Sequence, residues 1–236
     1  MKKLLFILVL IAGAAVVGKA LLTDQPILRF NSGMMKNPYP PGSALFTQQQ
    51  EFVDQFNADP ALRDRFAGTF TSKGLYAEMN GALRRGARSL EGAQLISVTR
   101  AMAAVIPRLD QANCAKLMRP RDDFDRVLAA DVQGALERLP PRHHLNFWRF
   151  YLAALKAEVQ DLPERPIDLA ARERALMELG SRFNQNDVAR LQRVVQNPHS
   201  APDADACWAI NAFTHNATQL SPDHAEALAR LIWGGQ

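Results

Sequence analysis

The stretch that decides the fold is residues 145–159, LNFWRFYLAALKAEV. Its apolar residues recur at intervals of three, four and seven, the spacing that places side chains on one face of an α-helix: Leu145, Trp148, Tyr151, Leu152, Leu155 and Val159. Phe147 and Phe150 lie off that face, so the predicted helix is apolar over more than half of its circumference. Such a helix is either buried at the centre of a bundle or carries a second contact surface.

The flanking segments repeat the helical period and are separated by residues that end or start helices. Pro107 is expected to kink or end one helix, and Pro140 to end the next. Asp168 is a favourable N-cap for a later helix, and the pair Ser221-Pro222 is a strong start signal for the last one. No segment alternates convincingly between apolar and polar residues, so no strand is predicted.

Two of the helical segments, 101–117 and 212–228, align on an alanine, a leucine, a cap residue and a second leucine. A true repeat would stack as helical hairpins, but ordinary bundles use the same pattern at their helix junctions. The sequence therefore predicts an all-α fold for residues 44–236, either a multi-helix bundle or a short helical-hairpin array, behind an N-terminal membrane helix.

The membrane helix is predicted from the first 22 residues. Lys2 and Lys3 precede an apolar run over residues 4–22 that only Lys19 interrupts, nineteen residues in all. This length is at the lower limit for a helix that spans a bilayer. We expect a retained signal-anchor with its N-terminus in the cytoplasm and the main domain in the periplasm. The alternative is a cleaved signal peptide that leaves the domain secreted or periplasmic.

Residues 23–43 are rich in proline and glycine and are predicted to form a tether between anchor and domain. The tether is more apolar than a plain spacer requires. Its apolar residues either pack on the domain or line a surface for a partner. The candidate partner surface consists of Phe30, Met34, Met35 and Tyr39 from the tether, with Phe147 and Phe150 from the aromatic helix.

Cys114 and Cys207 are the only cysteines in the chain. An even number of cysteines in an oxidising compartment favours a disulfide, and we predict that these two are bonded. The alternatives are two free thiols, or a metal site that includes a histidine such as His215.

The charge pattern argues against a nucleic-acid partner. The formal net charge is +4, but the 28 lysine and arginine residues are interspersed with 24 acidic residues. The densest basic cluster, Arg84, Arg85 and Arg88, is typical of a solvated helix face.

No motif in the chain points to a reaction. His143 and His144 are adjacent on a helix and so diverge by about 100°, which is poor geometry for binding one metal ion. Glu78 could be a lone catalytic acid, but glycoside hydrolysis usually needs a second carboxylate. The chain has no nucleophile elbow, phosphate-binding glycine loop or zinc-protease motif. We therefore predict no catalytic residue, metal site or cofactor.

The anchor, the tether and an aromatic helix that starts with Arg142 together resemble the steric chaperones that fold secreted lipases. The signature of that family is roughly R-x-x-F-D-Y-[FC]-L, whereas residues 142–148 read RHHLNFW and lack its Phe-Asp pair. No family is assigned on this resemblance. The predicted function is that of a membrane-tethered extracytoplasmic accessory or scaffold protein that binds a protein partner or an envelope component. An envelope hydrolase acting on lipid or cell wall and a steric chaperone for an exported protein are the alternatives.

Overall fold

The computed structural model describes residues 35–37, 39–66, 72–119 and 126–234. These residues form α-helices joined by short turns, with no strand among them. The predicted anchor and most of the tether lie outside the described residues. The helices are α1 Phe46–Ala58, α2 Pro60–Phe66, α3 Ser72–Ala87, α4 Gly92–Val105, a 3₁₀ turn Ile106–Arg108, α5 Gln111–Lys116, α6 Arg126–Glu137, α7 Pro141–Val159, α8 Leu169–Ser181, α9 Gln185–Gln196, α10 Asp203–Ala217 and α11 Pro222–Gly234.

Local signals set several helix ends. The Asp168 carboxylate accepts a hydrogen bond from the backbone N–H of Ala170 at 2.9 Å and caps α8, as predicted. Pro222 is the first residue of α11, also as predicted. At Pro107 the chain leaves α4 and tightens into the 3₁₀ turn, because proline cannot donate the next α-helical hydrogen bond.

Several helix junctions share one design, in which a buried leucine immediately precedes the residue that starts the next helix. Leu90, Leu109, Leu139 and Leu220 occupy this position and are at most 9% exposed. Each leucine packs into the core while the next residue caps or begins a helix. Leu162 differs, because it is 45% exposed and an extended segment follows it.

Helix α7, which contains the stretch 145–159, lies at the centre of the fold and packs against α1, α2, α3 and α4. Its off-face residues Phe147 and Phe150 are 0% and 2% exposed. Phe150 contacts Trp233 of α11 with 4.8 Å between ring centroids. The helix is apolar around most of its circumference because it has packing partners on most sides.

Two close contacts hold the helices around α7 in position. At Gly86 on α3, a Cβ atom would lie 1.8 Å from the carbonyl oxygen of Ala154, so only glycine permits this backbone approach. On α11, the Trp233 indole N–H donates a buried 2.9 Å hydrogen bond to the hydroxyl of Thr99 on α4. The core is thus continuous from α1 through α7 and α4 to α11.

The predicted disulfide between Cys114 and Cys207 is present and joins α5 to α10, with 5.0 Å between the two Cα atoms. The bond closes a loop between cysteines 93 residues apart. Beside it, the Arg119 guanidinium donates to the carbonyl oxygens of Pro198 and Ala201 and pairs with Asp203, which fixes the start of α10.

The last residues of the predicted tether pack on the domain. The side chain of Asn57 bonds both the N–H and the C=O of Met35, at 2.7 and 2.8 Å, as a neighbouring strand would. Met35 and Tyr39 are each 4% exposed. The tether therefore joins the core by residue 35. Among the described helices, none is both long and apolar enough to cross a membrane.

Candidate functional site: an apolar cleft between α8 and α9

Helices α8 and α9 form a hairpin through residues 182–184, yet they pack mainly on other helices. Helix α8 lies on α11, and α9 lies on α10. The two helices leave a cavity of about 350 Å³ between them. The cavity size is at the lower end of the range of about 300–1,000 Å³ found for small-molecule sites.

The cleft is lined almost wholly by apolar side chains. Phe213 of α10 and Leu231 of α11 form its floor, where the hairpin meets the core. Its two walls come from α8, α9 and the turn between them, and comprise Leu176, Leu179, Gly180, Phe183, Val188, Leu191, Gln192, Val195 and Gln196. The walls are half-buried rather than buried at Leu176, Phe183, Val188, Leu191 and Val195. Apolar surface therefore remains open to a ligand.

Gly180 leaves part of the α8 wall without a side chain. A Cβ atom built there meets nothing within 4 Å, and its backbone is not left-handed, so no local strain requires glycine at this position. Gly180 is the second-last residue of α8, where glycine costs a helix less than the about 1 kcal/mol of an interior position. Because it has no side chain, the cleft is wider at this point.

The arrangement can bind but offers no reacting group. The polar side chains in its walls are the carboxamides of Gln192 and Gln196, which are neutral hydrogen-bonding groups with no ordinary role as acid, base or nucleophile. Each methylene that enters such a cleft from water gains about 0.8 kcal/mol. The cleft is therefore suited to take up an apolar group rather than to catalyse a reaction.

On the opposite side of α8, Glu178 clamps this helix to the start of α11. Its carboxylate accepts hydrogen bonds from the backbone N–H and the hydroxyl of Ser221, at 3.2 and 3.0 Å. It also contacts Nδ1 of His224 at 2.5 Å and an Arg182 guanidinium nitrogen at 3.1 Å. The hydrogen bond to His224, supported by those to Ser221 and Arg182 and opposed by burial, lowers the pKa of Glu178 to about 2.

This cluster contains the residue types of a hydrolase site, but its hydrogen bonds are those of a structural clamp. A serine nucleophile must bond to its histidine base, whereas the Ser221 hydroxyl donates to Glu178. Ser221 also precedes the first residue of α11, where a carboxylate is favoured by the helix dipole. The clamp fixes α8 and so positions one wall of the cleft.

A second cavity, of about 550 Å³, lies beside the segment Leu162–Pro166 and is lined by both apolar and charged residues. Its arginines are already neutralised. Arg165 pairs with Glu91, and Arg230 pairs with Glu226 at 2.7 Å. An anion entering this cavity would have to displace these carboxylates, so the cavity is a weaker candidate than the cleft.

The structure buries four residues of the predicted partner surface. Met35, Tyr39, Phe147 and Phe150 lie in the core and present no surface to a partner in this structure, because neighbouring helices cover them. Burial, with a smaller contribution from the charge of Glu137, also raises the pKa of the Tyr39 hydroxyl. Phe30 and Met34 lie outside the described residues.

The other candidates for chemistry also have structural partners. Glu78 pairs with Arg65. His144 is buried and its Nε2 donates to the carbonyl oxygen of Leu136, while burial lowers its pKa and that of the half-buried His143. Within the described residues, no three His, Cys, Asp or Glu side chains are grouped so as to hold a metal ion.

No protein family model, no curated protein and no solved structure matches this chain.

The cleft is not visible in the sequence, where the apolar residues of α8 and α9 have the spacing of ordinary core-facing positions. The signal that could have identified the site is the apolar stripe Val188, Leu191 and Val195 on α9, where only Val194 is fully buried. A strongly amphipathic helix that stays half-exposed is the pattern to look for.

Proposed function

We propose that this protein is a non-catalytic binding protein of the cell envelope, held at the inner membrane by residues 4–22, and that the α8–α9 cleft receives an apolar group of an envelope component. The single observation that carries the proposal is the apolar cavity of about 350 Å³, which is open between two amphipathic helices. Its half-buried walls leave apolar surface for a ligand to cover.

Two further features support the extracytoplasmic part of the proposal. The Cys114–Cys207 disulfide suits an oxidising compartment such as the periplasm. The apolar run behind Lys2 and Lys3 supports anchoring, and the packed end of the tether would hold the domain at a limited distance from its anchor.

No comparable observation favours the two alternatives. A steric chaperone would be expected to open a large apolar concavity, whereas the described helices share one continuous core. A hydrolase would need an acid or a nucleophile in a cavity, whereas Glu78 pairs with Arg65 and the Ser221 hydroxyl is bound to Glu178.

Site-specific photo-crosslinking tests the proposal in the full-length protein in cells. We would replace Leu191, in the wall of the cleft, with a benzophenone amino acid, and as a control replace Asn186, which is exposed on the same helix and does not line the cleft. We expect an adduct at position 191 and none at position 186, with its mass read from the purified protein. Equal labelling at both positions, or none at position 191, would contradict the proposal.

A cavity-filling variant makes the test specific. Gly180→Phe adds a side chain where a Cβ has free space and should abolish capture at position 191. Its control is Gly134→Phe on α6, where the nearest atom to a new Cβ is an Arg138 guanidinium nitrogen at 3.4 Å. This second variant changes no part of the cleft and should leave capture intact.

A further inference from the structure

We propose that a corner of the domain formed by Arg108, Arg138 and Arg142, the arginine corner, docks on the anionic surface of the membrane through the phosphate groups of lipid head groups. The proposal is independent of the cleft, and it rests on the proposed function only for the membrane anchor at residues 4–22. Three observations support it: the contacts that bring the arginines together, their lack of carboxylate partners among the described residues, and the nearby end of the tether.

The arginines come together where the 3₁₀ turn meets the junction between α6 and α7. Arg138 follows the last residue of α6, and its guanidinium donates a 3.1 Å hydrogen bond to the carbonyl oxygen of Arg108 at the end of the 3₁₀ turn. Arg142 lies in the first turn of α7, beside His143. Burial lowers the pKa of His143, and the charges of Arg142 and Arg108 lower it further, so both guanidinium groups lie near this imidazole. All three arginines are exposed.

Within the described part of the chain, no carboxylate pairs with these three arginines. The Arg108 guanidinium donates to a backbone carbonyl oxygen of α4 at 2.7 Å, and that of Arg142 contacts Nε2 of His143 at 3.5 Å. Other exposed arginines carry a carboxylate partner, as Arg165 does with Glu91. Three positive charges without counter-ions therefore face solvent at this corner, a pattern that complements an anionic surface.

The carboxylates nearest to the corner in sequence have hydrogen-bond donors of their own. Glu137, which precedes Arg138, accepts a 3.0 Å hydrogen bond from the carboxamide of Gln133. Asp110, two residues after Arg108, caps α5 by accepting from two backbone N–H groups of that helix. These carboxylates are thus held by neighbouring donors rather than by the arginines, which remain available to an external anion.

The corner lies beside the point at which the tether joins the domain. Burial raises the pKa of the Tyr39 hydroxyl and the charge of Glu137 raises it further, so this hydroxyl lies close to the last residue of α6, next to Arg138. Tyr39 is fixed there, because it is 4% exposed. Residues 23–38 separate it from the predicted anchor and span at most about 55 Å when extended. The tether thus attaches the domain next to its arginine corner, which favours turning this corner towards the bilayer.

The test uses the full-length protein in nanodiscs of neutral phosphatidylcholine, with or without about 30% anionic phosphatidylglycerol. A fluorescent amino acid replaces Gln111, which is exposed three residues after Arg108, or Asn186, which is exposed on α9. Energy transfer to an acceptor-labelled lipid reports how near each position lies to the bilayer. We expect the excess of transfer from position 111 over position 186 to increase from neutral to anionic discs. The increase should disappear at about 1 M salt, where the Debye length is about 3 Å.

The triple variant Arg108→Gln, Arg138→Gln, Arg142→Gln should abolish this increase. Each arginine held near an anionic surface favours the docked domain about fivefold, so the loss of three should lower the ratio of docked to free domain about a hundredfold. Its melting temperature verifies that the variant folds. If it does not fold, the dependence of the wild type on lipid charge and on salt still tests the proposal.

The matched control removes three positive charges from α8 and α9 instead, in the triple variant Arg172→Gln, Arg174→Gln, Arg193→Gln. Its net charge equals that of the corner variant, and it should preserve the increase. An equal loss in both triple variants would mean that net charge rather than the corner directs the domain, and would overturn the inference.

Two further results would overturn it: equal transfer in neutral and anionic discs, or an increase that survives the corner variant. Co-elution with neutral discs tests the anchor separately, because an apolar span inserts without anionic lipid. Protein that binds anionic but not neutral discs, and does so through the arginine corner, would support docking and contradict the anchor of the proposed function. Protein that binds neither would contradict both, while crosslinking at position 191 tests the cleft independently.

Discussion

The centre of the fold and the α8–α9 hairpin are built from similar apolar residues but use them differently. At the centre, Phe147, Tyr151 and Trp233 are at most 1% exposed and contact aromatic neighbours on several sides. In the hairpin, Val188 and Leu191 are half-buried and face a cavity. The residues at the centre hold the protein together, whereas those of the hairpin leave apolar surface available for binding.

The difference arises from the number of helices around each element. Helix α7 is surrounded by four others, so almost every apolar side chain it carries is covered. Helix α9 packs chiefly on α10, which covers Val194 but leaves the rest of its apolar face to the cleft. Amphipathic helices usually bury such a face, and we base the proposed binding site on the fact that this one is only half-buried.

The largest expected effect is at Trp233. Trp233→Ala removes an aromatic side chain from the centre together with its hydrogen bond to Thr99, and we expect a loss of about 3–5 kcal/mol in the free energy of unfolding. The matched change in the hairpin, Leu191→Ala, should cost about 1 kcal/mol or less because the side chain is already half-exposed. Urea titration of both variants checks this, and equal losses would remove the distinction between the two regions.

Loss of the disulfide should be the next largest effect. For a loop between cysteines 93 residues apart, the chain-entropy model gives about 4–5 kcal/mol, and native disulfides usually contribute about 2–5 kcal/mol. We expect the double variant Cys114→Ala, Cys207→Ala to lose stability in this range. Because α10 supports α9, hydrogen exchange should rise more in α9 and α10 than in α7. An unchanged melting temperature after reduction would show that the bond contributes little.

Two glycines allow a direct comparison of close packing with open space. Gly86→Ala places a Cβ against the carbonyl of Ala154 and should cost about 1–3 kcal/mol. Gly180→Ala should instead stabilise the protein by about 0.5–1 kcal/mol, because nothing lies within 4 Å of the new atom and helix propensity improves. Thermal unfolding of the two variants should show a lower melting temperature for Gly86→Ala and a higher one for Gly180→Ala. A lower melting temperature for Gly180→Ala would contradict the open space described at this position.

The clamp at Glu178 should produce the smallest effect, visible as a dependence on pH. The pKa of Glu178 in the folded state is about 2, below its ordinary value of 4.5. The ionised carboxylate therefore stabilises the fold fully at pH values above about 4.5. That contribution is lost as the pH falls from about 4.5 towards 2. Glu178→Gln should therefore melt below wild type at neutral pH and converge with it across this interval. A difference that stays constant with pH would mean that charge plays no part in the clamp.

Local sequence signals predicted much of the secondary structure. Asp168, Pro107 and Pro222 each act through contacts within a few residues, and each helix end they indicated is present. The disulfide was also predictable, because the chain offers one possible pairing of its cysteines.

The tertiary arrangement was not predictable in the same way. Whether Phe147 faced a partner or the core depended on helices 60 or more residues away in sequence, such as α3. The packing of Met35 depends on Asn57, 22 residues further along the chain. The cleft was missed because periodicity shows that α9 has an apolar face but not that neighbouring helices leave it uncovered.

The most direct test of the central claim measures capture and stability together in Gly180→Phe. If the cleft is a binding site, this variant should melt at the wild-type temperature or above and lose photo-crosslinking from position 191, while Gly134→Phe retains it. If Gly180→Phe folds normally and still captures a ligand from position 191 as wild type does, the cleft is not the site.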